Sequence, residues 1–187
     1  MSLIDDFLAD ARQHMDKSVD STRGKFGSVR TGRASPTLLD RIMVDYYGAP
    51  TPLRQLATIH AAEARLLTVQ PYDKGSIKAI ERAIMESDVG LTPSNDGQII
   101  RLVVPELTEE RRRQLVKVVH SLAEEGKVAL RNIRRDTMKD LRELRDEGEA
   151  GADVEHRAEE ALQRITDEKV GELDSLLKAK EEEILEV

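Results

Sequence analysis

TEERRRQLVKVVHSLAEEGKVALRNIRRDTMKDLRELRD, residues 108–146, reads as one unbroken helix. It holds no proline, its one glycine is Gly126, and Pro105 lies just before it. Thr108 has the side chain of an N-cap, and Glu109 and Glu110 give the first turn the sign that a helix dipole favours. Apolar or small residues return at Leu115, Val119, Leu122, Gly126, Ala129 and Ile133, and a four-residue stutter carries the stripe on to Thr137, Leu141 and Leu144. At about 1.5 Å per residue the rod would be roughly 58 Å long, too long to be enclosed in a compact domain of this size. It therefore belongs in a bundle. Its middle carries Lys127, Arg131, Arg134 and Arg135 with no acid between them.

Two more rods flank it. Residues 3–29 place Ile4, Leu8, Ala11, Met15, Val19, Thr22, Phe26 and Val29 at steps of four and three. After a break at Gly148 to Gly151, Asp153 can cap a last helix with a stripe at Ala158, Leu162, Ile165, Val170, Leu173, Leu177 and Ile184. One stripe cannot be buried by its own helix, so the three are expected to pack together. The short connection makes the second and third antiparallel neighbours.

Between the first and second rods the period changes to two. Ile42, Val44 and Tyr46 alternate towards Gly48, which predicts a strand, and Ala49 to Pro52 predicts a turn or edge segment because of its two prolines. Leu53–His60 and Ala64–Gln70 are read as strands. Ser76 is placed to cap a short helix with Ile77, Ile80 and Ile84 on one face. Thr92–Gly97 is turn chemistry, and Ile99–Val104 is a last β-rich run. The expected architecture is α+β: a discontinuous three-helix bundle, 1–30 plus 106–187, with a small β/α/β domain, 31–105, inserted in it. The two chain crossings, near 30–36 and 104–107, form a natural hinge at Thr31, Gly32, Val104 and Pro105.

Charged residues make up 35% of the chain and aromatics 3%, which suits long exposed helices over an aliphatic core. The net charge of −7 is unevenly spread. Residues 108–146 sum to +3 and residues 147–187 to −9, so base sits on one rod and acid on the next. There is no cysteine, no apolar run approaches a membrane span, and the acidic, amphipathic start resembles no signal peptide. A soluble, cytoplasmic protein without a membrane partner is expected.

Few residues point to catalysis. GSVRTGRA (27–34) has the glycine spacing of a phosphate loop, but Arg33 and Ala34 replace the lysine and hydroxyl residue, and a helix precedes it. His14, His60, His120 and His156 have no partner at metal-ligand spacing. No enzyme, metal or cofactor is expected. The basic side of the second rod is more informative: Lys127, Arg131, Arg134 and Met138 follow i, i+4, i+7, i+11, with Arg135 adjacent. Charge alone leaves two readings open, a solvated face and a contact with phosphates, and favours the first. Without an aromatic platform or base-reading motif, any nucleic-acid contact would be directed at backbone and shape.

Five motifs add a resemblance: RTGRASP (30–36), DYYG (45–48), TPLRQLA (51–57), LTEERR (107–112) and RNIRRD (131–136). In this order and at this spacing the chain resembles the bacterial ribosome recycling factor family over essentially its whole length. The resemblance implies an L-shaped pair of domains and a non-enzymatic translation factor. Such a factor splits the post-termination ribosome into subunits together with elongation factor G, which hydrolyses the GTP. It further implies that the bundle lies along large-subunit ribosomal RNA, with the small domain towards the small subunit and elongation factor G. The family's RNA-contacting arginines match Arg131, Arg134 and Arg135 on the rod and Arg30, Arg33 and Arg112 near the junction; Lys127 joins them by its place on the same side of the rod. A monomer is expected. The alternative is a helical coiled-coil adaptor or chaperone-like protein, which would self-associate or bind protein clients.

Overall fold

The computed structural model describes residues 2–186. In chain order the elements are helix α1 (Leu3–Gly27), strands β1 (Met43–Tyr46) and β2 (Ala49–Pro52), a single helical turn α2 (Leu53–Leu56), strands β3 (Ala57–Glu63) and β4 (Leu66–Pro71), helix α3 (Ile77–Glu86), strands β5 (Pro93–Asn95) and β6 (Ile100–Val103), and the long helices α4 (Glu109–Asp146) and α5 (Ala152–Leu185). Short 3₁₀ turns occupy Pro36–Leu39 and Lys74–Ser76. The α+β reading holds, with long helices beside a small sheet-containing domain.

The chain packs as two compact units, Met1–Arg23 with Lys117–Glu182, and Gly24–Val116 with Glu183–Val187. The divisions fall inside α1, α4 and α5.

The first unit is helical. Its core joins Met15 and Val19 of α1, Leu130 and Leu141 of α4, and Leu162, Ile165 and Leu173 of α5. Thr108 caps α4 as expected, its Oγ1 accepting the Arg111 N–H at 3.1 Å. At the other end Gly148, with φ +77°, closes a Schellman turn: the Glu149 N–H reaches the Leu144 carbonyl and the Gly148 N–H that of Arg145. The stripe of α4 differs from its expected course. Ala123 and Leu130 are buried, whereas Leu122, Ala129 and Ile133 are half-buried. A helix facing two neighbours buries a seam wide enough for adjacent positions, and the deeper of each pair is decided by those neighbours.

Lys169 of α5 is buried, and its ammonium lies 2.8 Å from Asp16 of α1, 2.7 Å from Glu172 and 3.5 Å from Glu168. The hydrogen bonds to Asp16 and Glu172 raise its pKa above the ordinary lysine value. A raised value means that the folded chain holds the proton more tightly than the unfolded one. The resulting stability is fully present below about pH 10.4 and is lost as pH rises towards the folded value. Lys169→Met is therefore expected to cost about 1–2 kcal/mol at neutral pH. The deficit should shrink above about pH 10.5. Urea unfolding at neutral and alkaline pH measures both, and equal stability at neutral pH contradicts the assignment.

The second unit holds two sheets. β1 and β2 form a hairpin in the register Met43↔Pro52 to Tyr46↔Ala49. Its two-residue loop, Tyr47-Gly48, has φ of 49° and 85°, the left-handed pair that a type I′ turn requires. Pro50 and Pro52 alternate with Ala49 and Thr51, so both missing N–H groups fall on the free edge of β2. The other sheet is antiparallel, in the order β3-β4-β6-β5. Leu67, Val69, Ile100 and Leu102 face one core with Ile77, Ile80 and Ile84 of α3, while Arg101 and Val103 point outwards.

Three local expectations are corrected. Leu53–Leu56 is a helical turn rather than the start of a strand, because Leu53 and Leu56, three apart, both bury into the core. Pro93–Asn95, read as turn, is a short edge strand on β6. The side-chain cap near α3 comes from Asp73, whose carboxylate accepts the Gly75 N–H at 2.8 Å, while the Ser76 hydroxyl donates to the Asp73 carbonyl.

Candidate nucleic-acid interface

The basic run of α4 lies in the first unit, on an element held straight by its buried stripe of Leu130, Thr137 and Leu141. Each residue 127–135 therefore has a fixed direction, and the cations differ in how far they are already engaged. Lys127 is half-buried, its ammonium 2.6 Å from Asp174 of α5 and 3.5 Å from Glu124. The hydrogen bond to Asp174 raises its pKa and ties its charge to the neighbouring helix. Arg131 is exposed and reaches Glu124 only at 4.0 Å. Arg135 is exposed, with its Nε 3.4 Å from the adjacent Asp136. Pairs so long and solvated contribute little, which leaves both guanidiniums available.

Arg134 stands apart. It is half-buried and makes no ion pair among the described residues. Its Nε is buried and without a hydrogen-bond partner. A buried donor left unmade costs free energy, and since this nitrogen is closed to solvent an outside oxygen reaches it only if the side chain shifts. Arg134 and Arg135 line a shallow concavity of about 450 Å³ together with Asp136, Met138, Lys139 and Arg142. Four cations and one carboxylate around an apolar Met138 suit a phosphate-bearing chain. Lys139 and Arg142 were absent from the expected site. The signal for Arg142 is in the sequence, since Arg131, Arg135, Met138 and Arg142 repeat i, i+4, i+7, i+11, with Lys139 on the flank of that line.

Arg30, Arg33 and Arg112 belong to the second unit. Arg30 and Arg112 are half-buried and make no ion pair among the described residues. Arg33 is exposed and sits 2.9 Å from Glu186. The segments expected to act as a hinge are packed locally. The Thr31 hydroxyl donates to Glu183 at 2.8 Å, and Gly32, with φ +82°, lies against Leu107, where only glycine takes that backbone without strain. The N–H of buried Val104 donates to the Arg65 carbonyl at 2.8 Å, and Pro105 is exposed. Among the described residues no His, Cys, Asp or Glu cluster is placed to hold a metal, and no helix is long and apolar enough to cross a membrane.

The family model described as Ribosome recycling factor matches residues 22–185. The ribosome-recycling factor of Desulforamulus reducens is 50% identical over 185 residues, covering 99% of this chain and 100% of that one. That of Thermomicrobium roseum is 53% identical over the same shares. Among solved structures, a solution structure of the ribosome recycling factor superposes with a TM-score of 0.80 at 38% identity, covering both chains fully. A second, with a TM-score of 0.69 and 46% identity over 99% of this chain and 100% of that one, comes from models of the T. thermophilus ribosome recycling factor and the E. coli elongation factor G bound to the E. coli post-termination complex.

Proposed function

This chain belongs to the ribosome recycling factor family, and from that premise we propose that it disassembles the post-termination ribosome into subunits together with elongation factor G. The observation that carries the reading furthest is the run Arg131, Arg134 and Arg135 on α4, with Arg131 and Arg135 exposed and held only by long ion pairs. A rod with a half-buried cation between two exposed ones grips ribose-phosphate backbone without reading bases. Large-subunit ribosomal RNA is its partner. Arg30, Arg33 and Arg112 add contacts from the second unit, and Lys127 supports the rod's face while staying tied to Asp174.

The chain acts as a monomer in the cytoplasm and carries no cofactor, the GTP being used by the elongation factor. Thr31–Gly32 and Val104–Pro105 are the hinge through which the elongation factor displaces the small domain while the rod holds RNA, a movement that has to break the Thr31–Glu183 hydrogen bond. Force applied to one part then reaches the RNA that bridges the subunits.

The test is co-sedimentation with post-termination ribosomes, followed by light scattering for subunit splitting with and without elongation factor G and GTP. Binding alone is expected to leave ribosomes intact, and both additions together to split them. A chemical cross-link between the two domains should spare binding and abolish splitting; undiminished splitting removes the hinge from the mechanism. Absence of co-sedimentation, with capture of protein clients or self-association instead, would favour the adaptor reading.

A further inference from the structure

The concavity on α4 extends beyond the arginines that the motif RNIRRD supplies. Lys139 and Arg142 are both exposed, and each has one long ionic contact, Lys139 to Glu143 at 3.4 Å and Arg142 to Glu159 at 3.9 Å. Both line the same surface as Arg134 and Arg135, with half-buried Met138 among them. Arg131, Arg135 and Arg142 share one line along the helix, with Lys139 on its flank. From Arg131 to Arg142 the line covers about 16 Å of helix axis, which is the reach of a few nucleotides rather than of one phosphate.

The six lining residues include one acid, Asp136, and it leans on Arg135. A solvated helix of average composition would alternate the signs, and α4 does so elsewhere, for example at Glu109 with Arg113.

We propose that Lys139 and Arg142 are further phosphate-binding residues, which extend the grip of α4 along one ribose-phosphate strand beyond Asp136, with Met138 packing against sugar between Arg135 and Arg142. The proposal rests on the reading of α4 as an RNA-binding rod. Arginine at 142 supplies a fork that can bridge two oxygens of one phosphate, and lysine at 139 supplies a mobile point charge at the edge.

The test is the salt dependence of binding to post-termination ribosomes for the full chain carrying Lys139→Gln and Arg142→Gln, beside Arg134→Gln and, as a control, the exposed α5 cation Arg164→Gln. Each phosphate no longer neutralised flattens the plot of log affinity against log salt by about 0.7–0.9, so the double variant should be shallower by about 1.5. Its affinity at low salt should fall roughly a hundredfold, the equivalent of ~2.7 kcal/mol, at a factor of about ten for each contact. Arg142→Lys keeps the charge and should retain most of the slope, and Arg164→Gln should match the parent. The two single variants, each expected to show about half the change, carry the test should the double variant melt below the parent. A parental slope in the double variant, with a shallower one in Arg134→Gln, overturns this extension and leaves the RNA-binding rod standing. Parental slopes in both overturn the rod as well.

Discussion

Replacing Arg131, Arg134 and Arg135 together by glutamine is expected to weaken ribosome binding by about a thousandfold, taking ~1.4 kcal/mol, or a factor of ten, for each charge-assisted hydrogen bond to phosphate that is removed. The slope of log affinity against log salt should flatten by about 2–3 at the same time, because three fewer counterions are released. The fold should survive. Arg131 and Arg135 make only long, solvated ion pairs, and Arg134 makes no ion pair among the described residues. Among the single variants, Arg134→Gln should have the largest effect. Its side chain is already held by burial, so it gives up less rotamer freedom when it meets a phosphate. Lys127→Gln should matter least, since its ammonium is satisfied by Asp174 before any RNA arrives. The measurement is a binding isotherm at several salt concentrations, with splitting assayed at saturating factor. Should the variant bind as the parent does with an unchanged slope, the rod has no role in gripping RNA. Splitting restored by excess factor would show that these residues grip rather than transmit.

Much of this was open to a reader of the sequence. Thr108, the stripe of α4, Pro105 before it and Gly148 after it are local signals, and local signals fix where a long helix starts and stops. The basic run was equally visible, because charge along a helix needs only the period of 3.6 to be placed. The rest depended on neighbours. Whether Leu122 or Ala123 lies deeper is decided by α1 and α5, which the pattern of α4 alone does not contain. Leu53–Leu56 was read at period two although a single helical turn buries residues three apart, and four residues are too few to separate those periods. The site shows the same division. Sequence puts Lys127 and Arg134 on one side of the rod. Only packing reveals that Lys127 is neutralised by Asp174 while Arg134 has a buried nitrogen with nothing to bond.

Gly126→Leu is expected to destabilise the first unit by about 3 kcal/mol or more, at or beyond the upper end of the usual cost of overpacking. Gly126 is buried in α4 between two other helices. A Cβ placed on it would lie 2.6 Å from the Thr22 Oγ1 of α1 and 3.1 Å from a Leu173 methyl of α5. Leu173 is fully buried and the Thr22 hydroxyl bonds back to the Ser18 carbonyl, so neither has open space to yield. Glycine is thus the residue that lets three helices approach at this level, and a leucine would have to push one of them outwards. Gly126→Ala is the finer probe. Helix propensity favours it by about 1 kcal/mol, and the clash with Thr22 opposes it. Adding Thr22→Ala removes the opposing atom, so the pair should be more stable than additivity of the two single changes allows. Gly171 of α5 supplies the contrast. It too lies inside a long helix, but it is exposed and a Cβ there would meet nothing within 4 Å. Gly171→Ala should therefore stabilise the protein by up to about 1 kcal/mol. Thermal and urea unfolding of the five variants, Thr22→Ala alone included, decides the matter. Equal behaviour of Gly126→Ala and Gly171→Ala, or no coupling to Thr22, would mean that close helix approach is not why Gly126 is there.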